Sequence, residues 1–149
     1  MAVKPIPDQY HSVQPYLIVD GAQKLIEFLK GTFEVEDRGV MPRPDGRVGH
    51  AEVKLGDSII MLADSGGMNN AEPTKSMIVV YVEDVDKSFQ RALEAGAEKF
   101  QEPEDQFYGD RSAGVKDGFG NLWYIHTHVE DVSEEEMMRR MQEASQQQG

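Results

Sequence analysis

QPYLIVDGAQKLIEFLKG (residues 14–31) and MIVVYVEDVDKSFQRALEAG (residues 77–96) follow one plan: an apolar run, a short acidic turn, then a striped segment ending in glycine. In the first, Gln14–Val19 reads as a strand and Asp20-Gly21 opens a helix. Ala22, Leu25, Ile26 and Leu29 recur at the i, i+3, i+4, i+7 spacing of a single buried face. Gly31 suits a left-handed helix stop. In the second, Met77–Val82 is the strand. Val85, Phe89, Ala92 and Leu93 then stripe a helix over Asp84–Ala95, with Gly96 as its stop.

Three further strand signals follow each helix. Behind the first, Phe33–Met41 and Arg47–Leu55 flank the turn PRPDG (42–46), and Gly56-Asp57 makes a tight hairpin into Ser58–Asp64. Behind the second come runs near Ala97–Glu102 and Phe107–Lys116, the turn DGFGN (117–121), and Leu122–His128. SGGMNNAEPTK (65–75) is small and polar enough to be the linker between the copies. A shift of 63 residues (14 to 77) carries Gln14–Val19 onto Met77–Val82, Gly46 onto Gly109 and Ser58–Ala63 onto Asn121–His126. Few residues are identical, so the order and spacing of the elements carry the repeat. The reading is a single α+β domain of two tandem βαβββ modules, about 14–64 and 77–128. A C-terminal helix follows over about 133–146. It is opened by the capping box Ser133-x-x-Glu136, with Met137 and Met141 on one face.

The chain has 149 residues, enough to bury a sizeable core, with 39% hydrophobic and 28% charged side chains. Its 27 acidic and 15 basic residues leave a net charge of −12, which repels nucleic-acid backbones and anionic lipid. Without cysteine, disulfides, thiolate metal sites and cysteine nucleophiles are excluded. The start, MAVKPIPDQYHSVQP, lacks the apolar core of a secretory leader, and no run is long enough to span a bilayer, so the expected location is cytoplasmic. No phosphate loop, nucleophile elbow or basic-aromatic stripe occurs.

Taken together, YLIVDGAQKLIEFL, MPRPDGRVGHAEVKLGDSIIMLAD, VYVEDVDKSFQRALEAGA and PEDQFYGDRSAGVKDGFGNLWYIHTHVEDVS resemble the glyoxalase / bleomycin-resistance / dioxygenase (vicinal oxygen chelate) superfamily, in its PhnB-like branch. The resemblance runs over residues 14–132. It implies paired modules whose mixed sheets curl into a cup for a small organic molecule, and a homodimer in which two chains share a cup. Asp117-Gly118-Phe119-Gly120 departs from the branch, which more often has proline second.

In metal-using relatives each module supplies one ligand near the start of its first strand and one on its last strand. Those positions fall here on Gln14, Met61, Met77 and Tyr124, of which only Gln14 is a plausible ligand for a hard cation. The expectation is therefore no metal ligands at these positions and no resident cofactor. A divalent metal at a displaced site built from Gln14, His50, Glu52 and His126 is the alternative. If Met61 faces the cup, strand alternation turns Gln14, Tyr16, Ile18, His50 and Glu52 inward from the first module. Met77, Val79, Tyr81, Leu122, Tyr124, His126 and His128 follow from the second, and Arg111, matched to Val48 by the shift, is expected to join them. Glu52 and His126 are the candidate proton carriers and Arg111 the oxyanion holder. Gln14, Tyr16, His50, Met61, Met77, Tyr81 and Tyr124 are the candidate substrate contacts. Plainer readings stand beside these: His50 and His128 as solvent-facing strand ends, Glu52 as a wet-face carboxylate, Arg111 as a surface ion-pair partner, and the methionines and tyrosines as core. The functional alternatives are a lyase or isomerase and a metal-free module that sequesters its ligand.

Overall fold

The computed structural model describes residues 2–147. The first module runs β1 (Tyr16–Val19), α1 (Ala22–Thr32), β2 (Val35–Pro42), β3 (Val48–Leu55) and β4 (Ser58–Asp64). The second runs β5 (Met77–Tyr81), α2 (Val85–Glu94), β6 (Glu98–Asp105), β7 (Asp110–Lys116) and β8 (Leu122–His128), and α3 (Glu134–Gln147) closes the chain. Each module forms its own four-stranded mixed sheet, β1-β4-β3-β2 and β5-β8-β7-β6, with the first and last strands of the module parallel. Among the described residues no helix is long and apolar enough to cross a membrane.

The repeat is written into the strand register. Tyr16 lies opposite Met61 and Val79 opposite Tyr124, and Leu17–Leu62 is matched by Val80–Ile125, so a 63-residue shift relates β1/β4 to β5/β8. The next strand departs from it. Ala51 pairs with Leu62, but Ala113 pairs with Ile125, a shift of 62 (51 to 113). Five residues, Asp117–Asn121, lie between the paired Lys116 and Leu122, one more than the four between the equivalent pair Lys54 and Ile59, and β7 slides by one place against the repeat. Because side chains alternate faces, that single residue inverts the side to which every β7 residue points.

Buried carboxylates fix the turns. Asp64, at the end of β4, accepts the N–H groups of Gly21 and Ala22 at 2.7 and 2.9 Å and so caps α1 from a distant strand; it also accepts from Val48 N–H at 2.7 Å. Burial opposes the charge on Asp64, but these backbone donors outweigh it and hold the carboxyl below its ordinary range. Asp84 caps α2 through the Lys87 N–H, and Ser133 accepts from the Glu136 N–H at the start of α3. Gly31 is not the helix stop expected of it: α1 runs through to Thr32. Gly31 is not among the glycines with positive φ, and a Cβ added there would meet the Ala95 Cβ at 3.4 Å, an ordinary van der Waals contact.

One hydrophobic core joins the modules. Leu25, Ile26 and Leu29 of α1 share it with Val85, Phe89 and Ala92 of α2, and with Trp123 and Ile125 of β8. Each buried Leu, Ile, Val or Phe among them contributes roughly 1.5–3 kcal/mol. Trp123 is its pivot. The indole N–H donates to Asp117 at 2.9 Å, and the rings of Phe28 and Phe33 lie 6.3 and 6.1 Å away, so the first module's helix end is seated on the second module's sheet. Both sheets spend their helix faces on this core, leaving their other faces turned away from it.

Candidate functional site

Pairing register decides which side chains share those outer faces. On the first sheet Tyr16 and Glu52 both lie opposite Met61, and His50 lies opposite Met41. On the second, Met77, Val79 and Tyr81 pair with Leu122, Tyr124 and His126, while Asp110, Ser112 and Gly114 pair with His128, His126 and Tyr124. Met77, Val79 and Tyr81 are 64, 54 and 62% exposed, an apolar stripe along an edge strand. Phe100 extends it, meeting Tyr124 edge-on at 6.0 Å across Gly114, where a Cβ would come within 3.3 Å of both rings.

Asp110, only 3% exposed, organises the second face. Its Oδ2 accepts from the Tyr81 hydroxyl at 2.6 Å and from His126 Nδ1 at 3.0 Å; its Oδ1 accepts from His128 Nδ1 at 2.8 Å. Burial pushes this carboxyl up, but the phenol and the two imidazoles more than offset it and hold it below the usual carboxylate range. The same bond raises the Tyr81 phenol. His128 Nε2 turns to Asp131 at 2.8 Å, and the two carboxylates, Asp131 foremost, raise its pKa. His126 differs: the Tyr108 ring stacks on it at 6.2 Å, and among the described residues nothing bonds its Nε2. A carboxylate only accepts, so a neutral His126 carries its proton on Nδ1 and presents a bare lone pair at Nε2. That is the tautomer a general base needs. The Tyr124 hydroxyl, two residues away on the same face, is also without a partner among the described residues.

The first face holds a closed chain of bonds. Tyr16 donates its hydroxyl to His50 Nδ1 at 2.9 Å, His50 Nε2 donates to Glu52 Oε2 at 2.8 Å, and Glu52 Oε1 accepts the hydroxyl of Tyr10. Burial works against the Glu52 charge, yet Tyr10 and His50 together hold its carboxyl low. Burial raises the Tyr16 phenol. Both His50 nitrogens and both Glu52 oxygens are occupied.

Two expected placements fail. Arg111 does not point to the cup: the one-residue slide of β7 pairs it with Thr127 on the helix side. There it binds Asp86 at 2.8 and 3.0 Å and Asp105 at 3.2 Å, and Asp110 and Ser112 take the outer face. Gln14 lies ahead of β1, with its side-chain Oε1 accepting the His11 N–H at 2.7 Å. Asp110, Tyr108 and Tyr10 were missed from sequence. Asp110 was hidden by the assumed register; Tyr108 lies in the turn before β7, where the sequence reading runs a strand from Phe107, and Tyr10 lies in the arm ahead of β1, where alternation says nothing.

Metal ligation is tested by the donors themselves. Met61 and Met77 offer thioethers, Tyr124 a phenol, and Gln14 a carbonyl already engaged, a set that does not fit Zn, Ni, Mn or Fe(II). The displaced alternative is divided, since His50 and Glu52 stand on the first sheet and His126 on the second. Among the described residues no three of His, Asp or Glu are grouped as ligands. A cleft of about 460 Å³, lined by Phe33, Leu55, Tyr81, Asp84, Lys87 and Arg91, opens on the seam between the modules. It touches this chemistry only through Tyr81.

The family model described as "Glyoxalase/Bleomycin resistance protein/Dioxygenase superfamily" matches residues 9–125. The uncharacterized protein Mb0911c of Mycobacterium bovis is 35% identical over 139 residues, 87% of this chain and 91% of that one. TioX from Micromonospora sp. ML1 superposes with a TM-score of 0.68 at 26% identity, covering 80% of this chain and 99% of its own. A glyoxalase/bleomycin resistance protein/dioxygenase family enzyme from Burkholderia phytofirmans PsJN, at 16% identity, has the same fold with a TM-score of 0.65, covering 78 and 97%.

Proposed function

The chain belongs to the glyoxalase / bleomycin resistance protein / dioxygenase superfamily, and from that premise we propose that its second outer face binds a small, partly apolar organic molecule and moves a proton on it without a metal. The observation that carries this is His126: Nδ1 held by a buried carboxylate, Nε2 free, on a face otherwise lined by Met77, Val79, Tyr81, Tyr124 and Phe100. Fold membership alone selects no reaction; the site must.

The reaction class is isomerisation or elimination next to a carbonyl. His126 Nε2 takes a proton from the carbon beside the carbonyl; the C–H pair becomes a C=C bond as the C=O π pair moves onto oxygen. The enolate then re-forms its carbonyl either by taking the proton back from His126 at a neighbouring atom or by expelling a β leaving group, which carries the proton away. The free Tyr124 hydroxyl donates to the developing oxyanion, the part the sequence assigns to Arg111. Glu52 is the weaker choice of base, since Tyr10 and His50 occupy both its oxygens. Tyr16, His50 and Met61 line the first face and reach the ligand only if a second copy closes one face over the other. The homodimer is part of the proposal, and the exposed stripe on edge strand β5 supports it. The PhnB-like assignment rests on the sequence motifs.

Proton exchange tests the reading without knowledge of the natural substrate. The protein is incubated in D2O with a panel of small hydroxy- and keto-carbonyl compounds, and deuterium incorporation is followed by NMR. Wild type should catalyse exchange into at least one compound, H126A should lose it, and D110N should be slowed about 100-fold or more. Exchange undiminished in H126A ends the acid–base reading. The aromatic stripe favours a second reading, sequestration, whose signature is tight binding with no exchange.

A further inference from the structure

Residues 2–13 form neither helix nor strand and are exposed, with one exception: Tyr10 is drawn partly out of solvent. Its hydroxyl bonds to Glu52 on the outer face of the first sheet, and the Arg38 guanidinium lies 6.0 Å above its ring centroid. The arm is shaped to deliver that ring. Tyr10 N–H donates to the Pro7 carbonyl at 3.2 Å, and Gln9 takes a left-handed φ of 74°, where its side-chain oxygen accepts from Arg38 Nη1 at 2.7 Å.

The sheet is shaped to receive it. Asp37 pairs with Val53 and Val40 with Ala51, so Arg38 and Gly39 together stand opposite Glu52. Two residues against one is a β-bulge, and bulges re-aim side chains. Gly39 accepts the distortion at φ 108°, its N–H donating to Asp37 at 3.0 Å. The bulge sets a cation and an acceptor-only carboxylate side by side with room for an aromatic ring between them, and His50, locked by Tyr16, fixes the carboxylate from behind.

We propose that this face is a binding site for a phenol, and that Tyr10 is its intramolecular occupant. The recognised chemistry is a phenolic O–H donated to Glu52 Oε1 together with a ring face under Arg38. A free phenol reaches the site when the arm swings out. The tethered ring competes at an effective concentration in the millimolar range, so a weak ligand is attenuated while Tyr10 is in place. The proposal does not depend on the reading of His126, which lies on the other sheet.

The probe is p-cresol, the side chain of tyrosine as a free molecule, titrated by NMR into wild type, Y10A and Y10A/E52Q, with toluene as the ligand lacking the hydroxyl. Y10A should bind p-cresol about tenfold more tightly than wild type. Toluene should bind it at least tenfold more weakly than p-cresol, and E52Q should remove the gain. Equal affinity of wild type and Y10A overturns the proposal, as does Y10A/E52Q binding like Y10A, or toluene binding like p-cresol. Y10F, which keeps the ring and the fold but loses the donor, provides the check on folding. Its affinity for p-cresol should rise above that of wild type, and an unchanged value counts against the site.

Discussion

Replacing Asp110 by asparagine keeps the shape of the second face and removes the charge around which it is built. In the wild type one buried carboxylate accepts from Tyr81, His126 and His128. Hydrogen bonds to charged groups contribute about 1.5–3 kcal/mol each, net of water. In D110N the amide oxygen still accepts from Tyr81 and one imidazole, but the amide NH2 group confronts the other. His128, half exposed, is the ring free to turn away. The loss is then the weakening of two charge-assisted bonds to neutral ones, about 2 kcal/mol for D110N, against about 4 kcal/mol for D110A, which leaves Tyr81 and His126 unmet while His128 turns to water. For a chain of this length those figures correspond to falls in Tm of about 6 and 12 °C. The sign with pH follows from linkage. The folded carboxyl titrates below its unfolded value, so its contribution is present above that value and is lost as pH falls through the folded one. The gap between wild type and D110N should be full above about pH 5 and close as the pH drops below about 3.9. Urea unfolding followed by circular dichroism at pH 7, 5 and 3 measures it. A gap under about 0.5 kcal/mol at pH 7, or one unchanged at pH 3, would refute the account of Asp110 as a charged hub.

Dialysed protein should carry well under one equivalent of metal, and adding Zn, Ni or Mn should barely raise Tm; stoichiometric metal lost in H126A would overturn the metal-free reading. Light scattering at micromolar concentration should report about twice 16.7 kDa, and a clean monomer would remove the shared cup. G109A should be destabilised by about 2–3 kcal/mol in thermal melts, because Gly109 sits at φ 102° and an added Cβ would lie 2.3 Å from the Glu130 carbonyl oxygen.

Alternation and spacing reached the fold because they recur in both modules: β4 and β8 begin and end where the apolar runs at Ser58 and Leu122 begin and end. At β7 they fail. A register counted from one end of a hairpin depends on the turn, and the Asp117–Asn121 loop carries one extra residue, bonded around the Asp117 carboxylate by Phe119 N–H, Asn121 N–H and the Asn121 side chain. That exchanged Arg111 for Asp110 on the outer face. His126 survived the error because it lies on β8, where the 63-residue shift holds. Gly31 misled because glycine near a helix end suggests a left-handed stop, whereas its φ stays out of the left-handed region and α1 ends one residue later, at Thr32.

Trp123 is the only tryptophan of the chain. Walled in by Phe28 and Phe33 from one module and bonded to Asp117 of the other, it gives the molecule a single optical reporter placed where its halves meet. Its emission should be blue and indifferent to iodide while the halves are docked. Any state that opens the seam with both sheets intact should redden it before far-ultraviolet dichroism changes. Unfolding of the amino-terminal arm or fraying of α3 should leave the emission unchanged, so one cuvette separates local release from parting of the halves.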